Sequence, residues 1–184
     1  MREVKAPEVR KQEIMDCAMK LFAQKGYDNT AMSHIAKELN IAVGLCYHYY
    51  ASKQELYDAV LKYYAKICTE DLKEVFEKHF ALQDLRKEIK KGLASMKEKF
   101  KYQEFFDKNK VFHNQLDRAM ADELIPCVTK YFKVLHNRGE IEISHPEVLA
   151  AFILYGEIPI FSNNDMEVEQ KIYLVEHIID KLLR

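Results

Sequence analysis

From Ser52 to about Phe80 a single apolar stripe runs without a break through Leu56, Val60, Tyr64, Ile67, Leu72, Val75 and Phe76. Ser52 and Glu55 stand at its start with the spacing of a capping box, so the stripe reads as one long helix. A helix of about 28 residues spans about 42 Å, enough to leave a small N-terminal unit and enter a second one. The boundary is then a shared helix, with domains expected at residues 1–53 and 54–184. Five Gly and four Pro in 184 residues are too few for a many-turned sandwich or barrel, so the expected fold class is all-α.

Ahead of that helix, Ile14, Ala18, Leu21 and Phe22 recur at helical spacing between Glu8 and Lys25, and Gly26 supplies a stop. A short second helix is expected after Thr30, whose hydroxyl is placed to cap the amide of Met32 or Ser33. It carries Ile35, Ala36 and Leu39 on one face and ends at Asn40, a residue that tolerates the left-handed conformation of a tight turn. A third helix follows over Ala42 to Tyr49.

Beyond the long helix, further helices are expected at Asp84 to Lys101, Tyr102 to Gln115 and Ala119 to Asn137, the last bent or started late by Pro126. Ser144 and Glu147 make a second capping-box pair before Val148, and a final helix runs from about Met166 to Leu183. Apolar residues in these last two helices spread over most of the circumference, which calls for a second packing partner. The same helices of another subunit supply one, through Leu149, Phe152, Ile153, Ile172, Val175, Ile179 and Leu182.

Lys and Arg number 28 against 29 Asp and Glu, so any anion-binding role needs a local patch. Residues 1–53 hold eight basic side chains against six acidic, a mild excess. The arm Arg2 to Lys11, with four basic residues and two acidic, could track phosphates or remain solvated. Cys17, Cys46, Cys68 and Cys127 lie at least 22 positions apart with no C-x-x-C, and read as reduced core residues with no metal role. No cofactor is expected. No apolar run approaches the roughly 18 residues of a membrane span, and residues 1–10 lack the h-region of a signal peptide, so a cytoplasmic location is expected. Without H-E-x-x-H, G-x-S-x-G or a Gly-rich phosphate loop, an enzyme is the weaker reading.

Two short helices joined by a tight turn, followed by a capped helix, have the arithmetic of a helix-turn-helix; by periodicity alone an αα corner fits as well. The residues go further. The run TAMSHIAKELNIAVGLCYHYYASKQELYDAV, with EIMDCAMKLFAQKGYDNT before it, resembles the tetracycline-repressor (TetR) family of bacterial transcription regulators. Ile14, Ala18, Leu21, Phe22, Gly26 and Tyr27 are similar to the family's first helix, and Thr30, Ile35 and Ala36 to its second. Gly44, Tyr47, Tyr49, Ser52, Lys53 and Leu56 are similar to the third helix and the start of the fourth.

The resemblance implies an N-terminal three-helix DNA-binding domain joined through a long helix to a C-terminal helical domain for ligand binding and dimerisation. It implies DNA contacts from Thr30, Ser33, His34, Ala42, Val43, Gly44, Leu45, Tyr47, His48, Tyr49 and Lys53. Lys53, at a helix start, is a candidate phosphate clamp, and Tyr47 and His48 are phosphate-contact candidates. The third helix departs from the family's polar pattern at Ala42, Val43 and Leu45, leaving no Arg, Lys, Asn or Gln for a bidentate bond to a base. Readout would rest on apolar contacts of Val43 and Leu45 with thymine methyls, on Tyr49 and on DNA shape, favouring an A·T-leaning operator.

For the second domain the resemblance implies a small-molecule pocket and a homodimer on a palindromic operator. The two recognition helices would sit roughly 34 to 36 Å apart, a spacing that effector binding alters. Pocket candidates are the aromatic residues Tyr102, Phe105, Phe106, Phe112, Tyr131, Phe152 and Tyr155, with His113. A core role competes for each. The absence of a charged cluster favours an apolar or aromatic effector. Two rivals remain: an adaptor whose helical domain binds a protein, and a helix-turn-helix that has lost DNA readout.

Overall fold

The computed structural model describes residues 6–99, 109–163 and 165–182. Eight α-helices run through them: α1 (Pro7–Lys25), α2 (Met32–Glu38), α3 (Val43–Tyr49), α4 (Lys53–Glu77), α5 (Leu82–Lys99), α6 (Lys110–Asn137), α7 (Pro146–Phe161) and α8 (Val168–Leu182). No strand occurs among the described residues.

Two compact units form. The first contains the chain as far as Tyr64 and the segment ending at Leu116; the second contains residues from Ala65 and from Asp117 onward. The unit around the short helices therefore extends past residue 53, taking in about three turns of α4 and the start of α6. Aromatic packing accounts for this. The Tyr57 ring of α4 meets Phe22 of α1 at 4.9 Å and Phe112 of α6 at 5.8 Å, both edge-on.

In the first unit Ile14, Ala18 and Phe22 are completely buried, as the α1 periodicity requires. Gly26 ends the helix at φ +81°, its amide donating to the Phe22 carbonyl. The expected Thr30 cap is not made. Thr30 is buried and its hydroxyl turns back to the end of α1, donating to Gly26 O at 2.8 Å with Leu21 O at 3.3 Å. The Gly26 carbonyl lies past the last helical turn and lacks a helical donor, and the buried hydroxyl satisfies it instead of serving an exposed helix start. Ala31 takes the N-cap position of α2. Asn40 adopts φ +52° and the Ile41 amide donates to Ala36 O at 2.9 Å, closing the turn before α3.

The capping box at α4 forms with one shift. Ser52 Oγ accepts the Glu55 amide, while the Glu55 carboxylate accepts the amide of Ala51. The similar pair Ser144 and Glu147 makes no such box: His145 occupies the N-cap of α7 and no side chain caps it. The expected helices up to Gln115 and from Ala119 are parts of one α6, which Pro126 does not interrupt. Proline removes one helical hydrogen bond, and packing on both sides of it holds the helix together.

The second unit has its core where Leu72 and Phe76 of α4, Leu124, Val128 and Tyr131 of α6, and Ile153 of α7 are buried together. Tyr131 donates its hydroxyl to Phe80 O at 3.0 Å, and burial pushes the phenol pKa well above its usual value. Lys171 of α8 is buried and donates its ammonium to Phe161 O at 2.9 Å, capping the end of α7. Cys17, Cys46 and Cys68 are buried and Cys127 half-buried, all as free thiols. Burial pushes the Cys17 thiol up to about 11 and Cys68 up to about 12, leaving both unreactive as nucleophiles.

Candidate nucleic-acid interface

The first unit presents α3 to solvent along one side. Cys46 is completely buried and anchors α3 in the core, and Tyr50 just after it is buried with its hydroxyl donated to Lys11 O at 3.5 Å. With those two residues inward, helical geometry turns the opposite side out. Ala42, Val43, Gly44, Tyr47 and His48 are exposed, whereas Leu45 and Tyr49 are half-buried. The Tyr49 ring packs edge-on against His48 at 5.1 Å.

Among the candidates on α2, Ser33 and His34 are exposed and Thr30 is buried, so Thr30 supports the α1–α2 junction rather than a surface. His34 performs the capping that Thr30 does not: its Nδ1 accepts the Ala31 amide at 3.2 Å. That hydrogen bond requires an unprotonated Nδ1, so the outer Nε2 of the neutral ring carries the proton and can donate.

Lys53 is half-buried, and its ammonium donates to Tyr27 O at 2.9 Å while lying 3.9 Å from the centroid of the Tyr27 ring. An ammonium has three donors, so this arrangement leaves donors for an anion. Asn109 is a contributor that sequence periodicity did not reveal. Its Nδ2 donates to Phe22 O at 3.2 Å and its Oδ1 accepts the Phe112 amide at 3.2 Å, so one amide joins the end of α1 to the start of α6. The available signal was an Asn just ahead of an apolar-periodic run, a favoured N-cap residue.

The described aromatic candidates for a ligand pocket belong to both units. Tyr102, Phe105 and Phe106 lie outside the described residues. Phe112 and His113 belong to the first unit, where Phe112 is buried against Tyr57. Tyr131 is core, Phe152 is 63% exposed, and Tyr155 donates its hydroxyl to the Asp122 carboxylate with Arg118 over its ring. Glu157 is the one carboxylic acid between Val148 and Asn164, a stretch with no Lys, Arg or His. It is half-buried, and burial pushes its carboxyl up to about 8.

Among the residues expected at a subunit interface, Ile153 and Val175 are buried within the chain itself, and Leu149 and Ile179 pack on its core. Phe152 and Leu182 do face outward, joined by Val148, Tyr173 and Ile178, which the periodicity did not separate from the inner set. No cluster of metal-ligating side chains occurs among the described residues, and no helix among them is long and apolar enough to cross a membrane.

A short helix, a tight turn and a second helix with a solvent-facing side define a helix-turn-helix domain of the DNA-binding type. Residues 14–60 match the family described as bacterial regulatory proteins, tetR family. The chain is 49% identical over 51 residues to YuxN of Bacillus subtilis (strain 168), named as an uncharacterized HTH-type transcriptional regulator. It is 40% identical over 52 residues to IcaR of Staphylococcus aureus (strain Newman), named as an HTH-type negative transcriptional regulator of the biofilm operon icaADBC. Each match covers 28% of this chain, and respectively 18% and 28% of the relative's length. A TetR-family transcriptional regulator from Pectobacterium atrosepticum has a similar fold, with a TM-score of 0.61 at 16% identity over 96% of this chain and 93% of that one. Residues 14–60 carry the helix-turn-helix domain of the tetR family, and the helical part that follows shares its fold with a TetR-family regulator.

Proposed function

We propose that the protein is a homodimeric transcriptional repressor that binds a palindromic DNA site through α2 and α3 and is released from it by a small apolar or aromatic effector. The observation that carries the DNA-binding part is the outward side of α3, held rigid by buried Cys46 and Tyr50, within the segment that matches the family. Repression is supported by the likeness to IcaR, a negative regulator by name. Dimerisation is supported by Val148 and Phe152 of α7, which are 61% and 63% exposed, and by Leu182 of α8 at 41%. Apolar side chains so exposed on neighbouring helices favour burial against a second copy.

Effector release rests on the resemblance of the helical second domain to TetR-family regulators. In that scheme the effector binds one dimer conformation better than the other, and its differential affinity sets how far DNA binding falls. Selection of duplexes from a random pool at about 0.15 M salt tests the reading, since non-specific phosphate binding is weak there. A palindromic site bound by two chains is the expected result. Failure to enrich any sequence would overturn it in favour of an adaptor or a domain without readout.

A further inference from the structure

We propose that α3 reads the 5-methyl group of thymine, with Val43 as the specificity-determining contact and Gly44 as the point of closest approach, so that binding depends on pyrimidine methylation. This rests on the DNA-binding reading above and narrows it to a chemical feature of the bases.

The argument starts from what the exposed side of α3 lacks. Its outward residues are Val43, Gly44, Tyr47 and His48, none of which can make a bidentate hydrogen bond to guanine or adenine. The major groove offers one apolar landmark, the thymine methyl, and Val43 is an apolar side chain held 43% exposed in the first turn of the helix. Leu45 is half-buried and Cys46 fully buried, so Val43 carries this contact from the helix.

Gly44 points the same way. Its φ is not in the left-handed region, and a Cβ built on it meets nothing within 4 Å. Neither backbone conformation nor packing within the chain needs a glycine here, and glycine weakens a helix. Tyr47 and His48 lie one turn further along the same side. The missing side chain thus uncovers helix backbone between Val43 and two groups able to hold phosphates, which lets the helix settle deep enough for a valine to touch a methyl. A protein surface could also cover this patch. Its small apolar area, Val43 and Tyr47 separated by a bare glycine, fits a groove edge better than a protein contact, which would need a wider apolar patch.

The experiment uses the full chain and duplexes selected from a random pool, with each thymine replaced in turn by deoxyuridine, which deletes only the methyl. The expected result is a loss of about fourfold in affinity for each contacted methyl, at one or two positions per half-site. Replacing such a thymine by 5-methylcytosine is expected to weaken binding less than replacing it by cytosine. Val43→Ala, at an exposed site, is expected to fold normally and to bind thymine and deoxyuridine duplexes alike. Equal affinity of the unmodified protein for both duplexes overturns the proposal while leaving DNA binding intact. If no duplex is enriched, the DNA-binding reading falls and this one with it.

Discussion

Lys53 donates its ammonium to the Tyr27 carbonyl and lies against the face of the same residue's ring, fastening the start of α4 to the turn that ends α1. A charge-assisted hydrogen bond and a cation–π contact on one partner together stabilise the unit by about 1 to 3 kcal/mol. Lys53→Met is expected to lower the melting temperature by several degrees. If a second ammonium donor also meets a phosphate, the slope of log affinity against log salt falls by about 0.9. Calorimetry and DNA titrations at several salt concentrations separate the two roles: a lower melting temperature with an unchanged slope leaves Lys53 purely structural.

Stability and DNA affinity are expected to move in opposite directions at Gly44. Alanine there meets open space and gains helix propensity, stabilising the unit by about 0.5 to 1 kcal/mol. The added methyl would stand between α3 and the base pairs. Gly44→Ala should therefore melt higher and bind the selected duplex more weakly, by tenfold or more; equal or tighter binding would show that the helix does not approach DNA at this point.

Asn109 and Gly26 form a second junction at the end of α1. Asn109→Ala removes both the donor to Phe22 O and the acceptor for the Phe112 amide, at a cost of about 1 to 2 kcal/mol. Asn109→Asp keeps the acceptor and loses the donor, so its loss should be smaller at the cap and larger at Phe22. At Gly26, φ +81° and a Cβ position 2.9 Å from Asn109 Nδ2 both oppose any side chain. Gly26→Ala is expected to destabilise by at least 1 kcal/mol, and denaturant unfolding of both variants checks these losses.

Glu157 makes a pH prediction. Its carboxyl has an ordinary value of 4.5 and is raised by burial to about 8 in the folded protein. Between these values the folded state holds a proton that the unfolded state has released, so stability falls as pH rises through about 4.5 to 8 and is level on either side. Glu157→Gln removes the slope and is expected to stabilise the protein more at pH 8 than at pH 5. Parallel slopes for the two proteins in urea titrations would place the carboxyl in a wetter environment.

The outward side of α7 and α8 carries the oligomerisation prediction. Phe152→Glu puts a charge at a 63% exposed position that makes no demand on the chain's own core. The monomer should fold with little change in helicity while sedimentation shows loss of the dimer. Ile153→Glu, at a buried position, is expected to unfold the second unit instead.

Much of the helix-turn-helix was legible because its signals are local. Ile14, Ala18 and Phe22 share a face through helical periodicity alone, and Gly26 and Asn40 supply the left-handed residues that the structure uses. Two capping boxes with the same spacing had different fates. Ser52 and Glu55 cap α4, whereas Ser144 and Glu147 do not cap α7, because a cap forms only when the incoming chain lays its backbone at the right angle. Three expected pocket residues, Tyr102, Phe105 and Phe106, fall outside the described residues, and the rest belong some to one unit and some to the other.

By itself, the order of residues determined the helical class, the tight turn at Asn40 and the apolar character of α3, since each follows from residues at most a few positions apart; the helix-turn-helix was carried by the family resemblance of its motifs, since local periodicity fits a plain αα corner as well. Only the tertiary structure decided that Thr30 turns inward to α1, that Lys53 closes on Tyr27, that Asn109 joins the first unit, and that Phe152 faces out while Ile153 faces in. Those outcomes depend on partners distant along the chain. A hydroxyl, an ammonium or an apolar ring does not reveal its partner by type or spacing, because burial and competing hydrogen bonds select that partner only after the helices have packed.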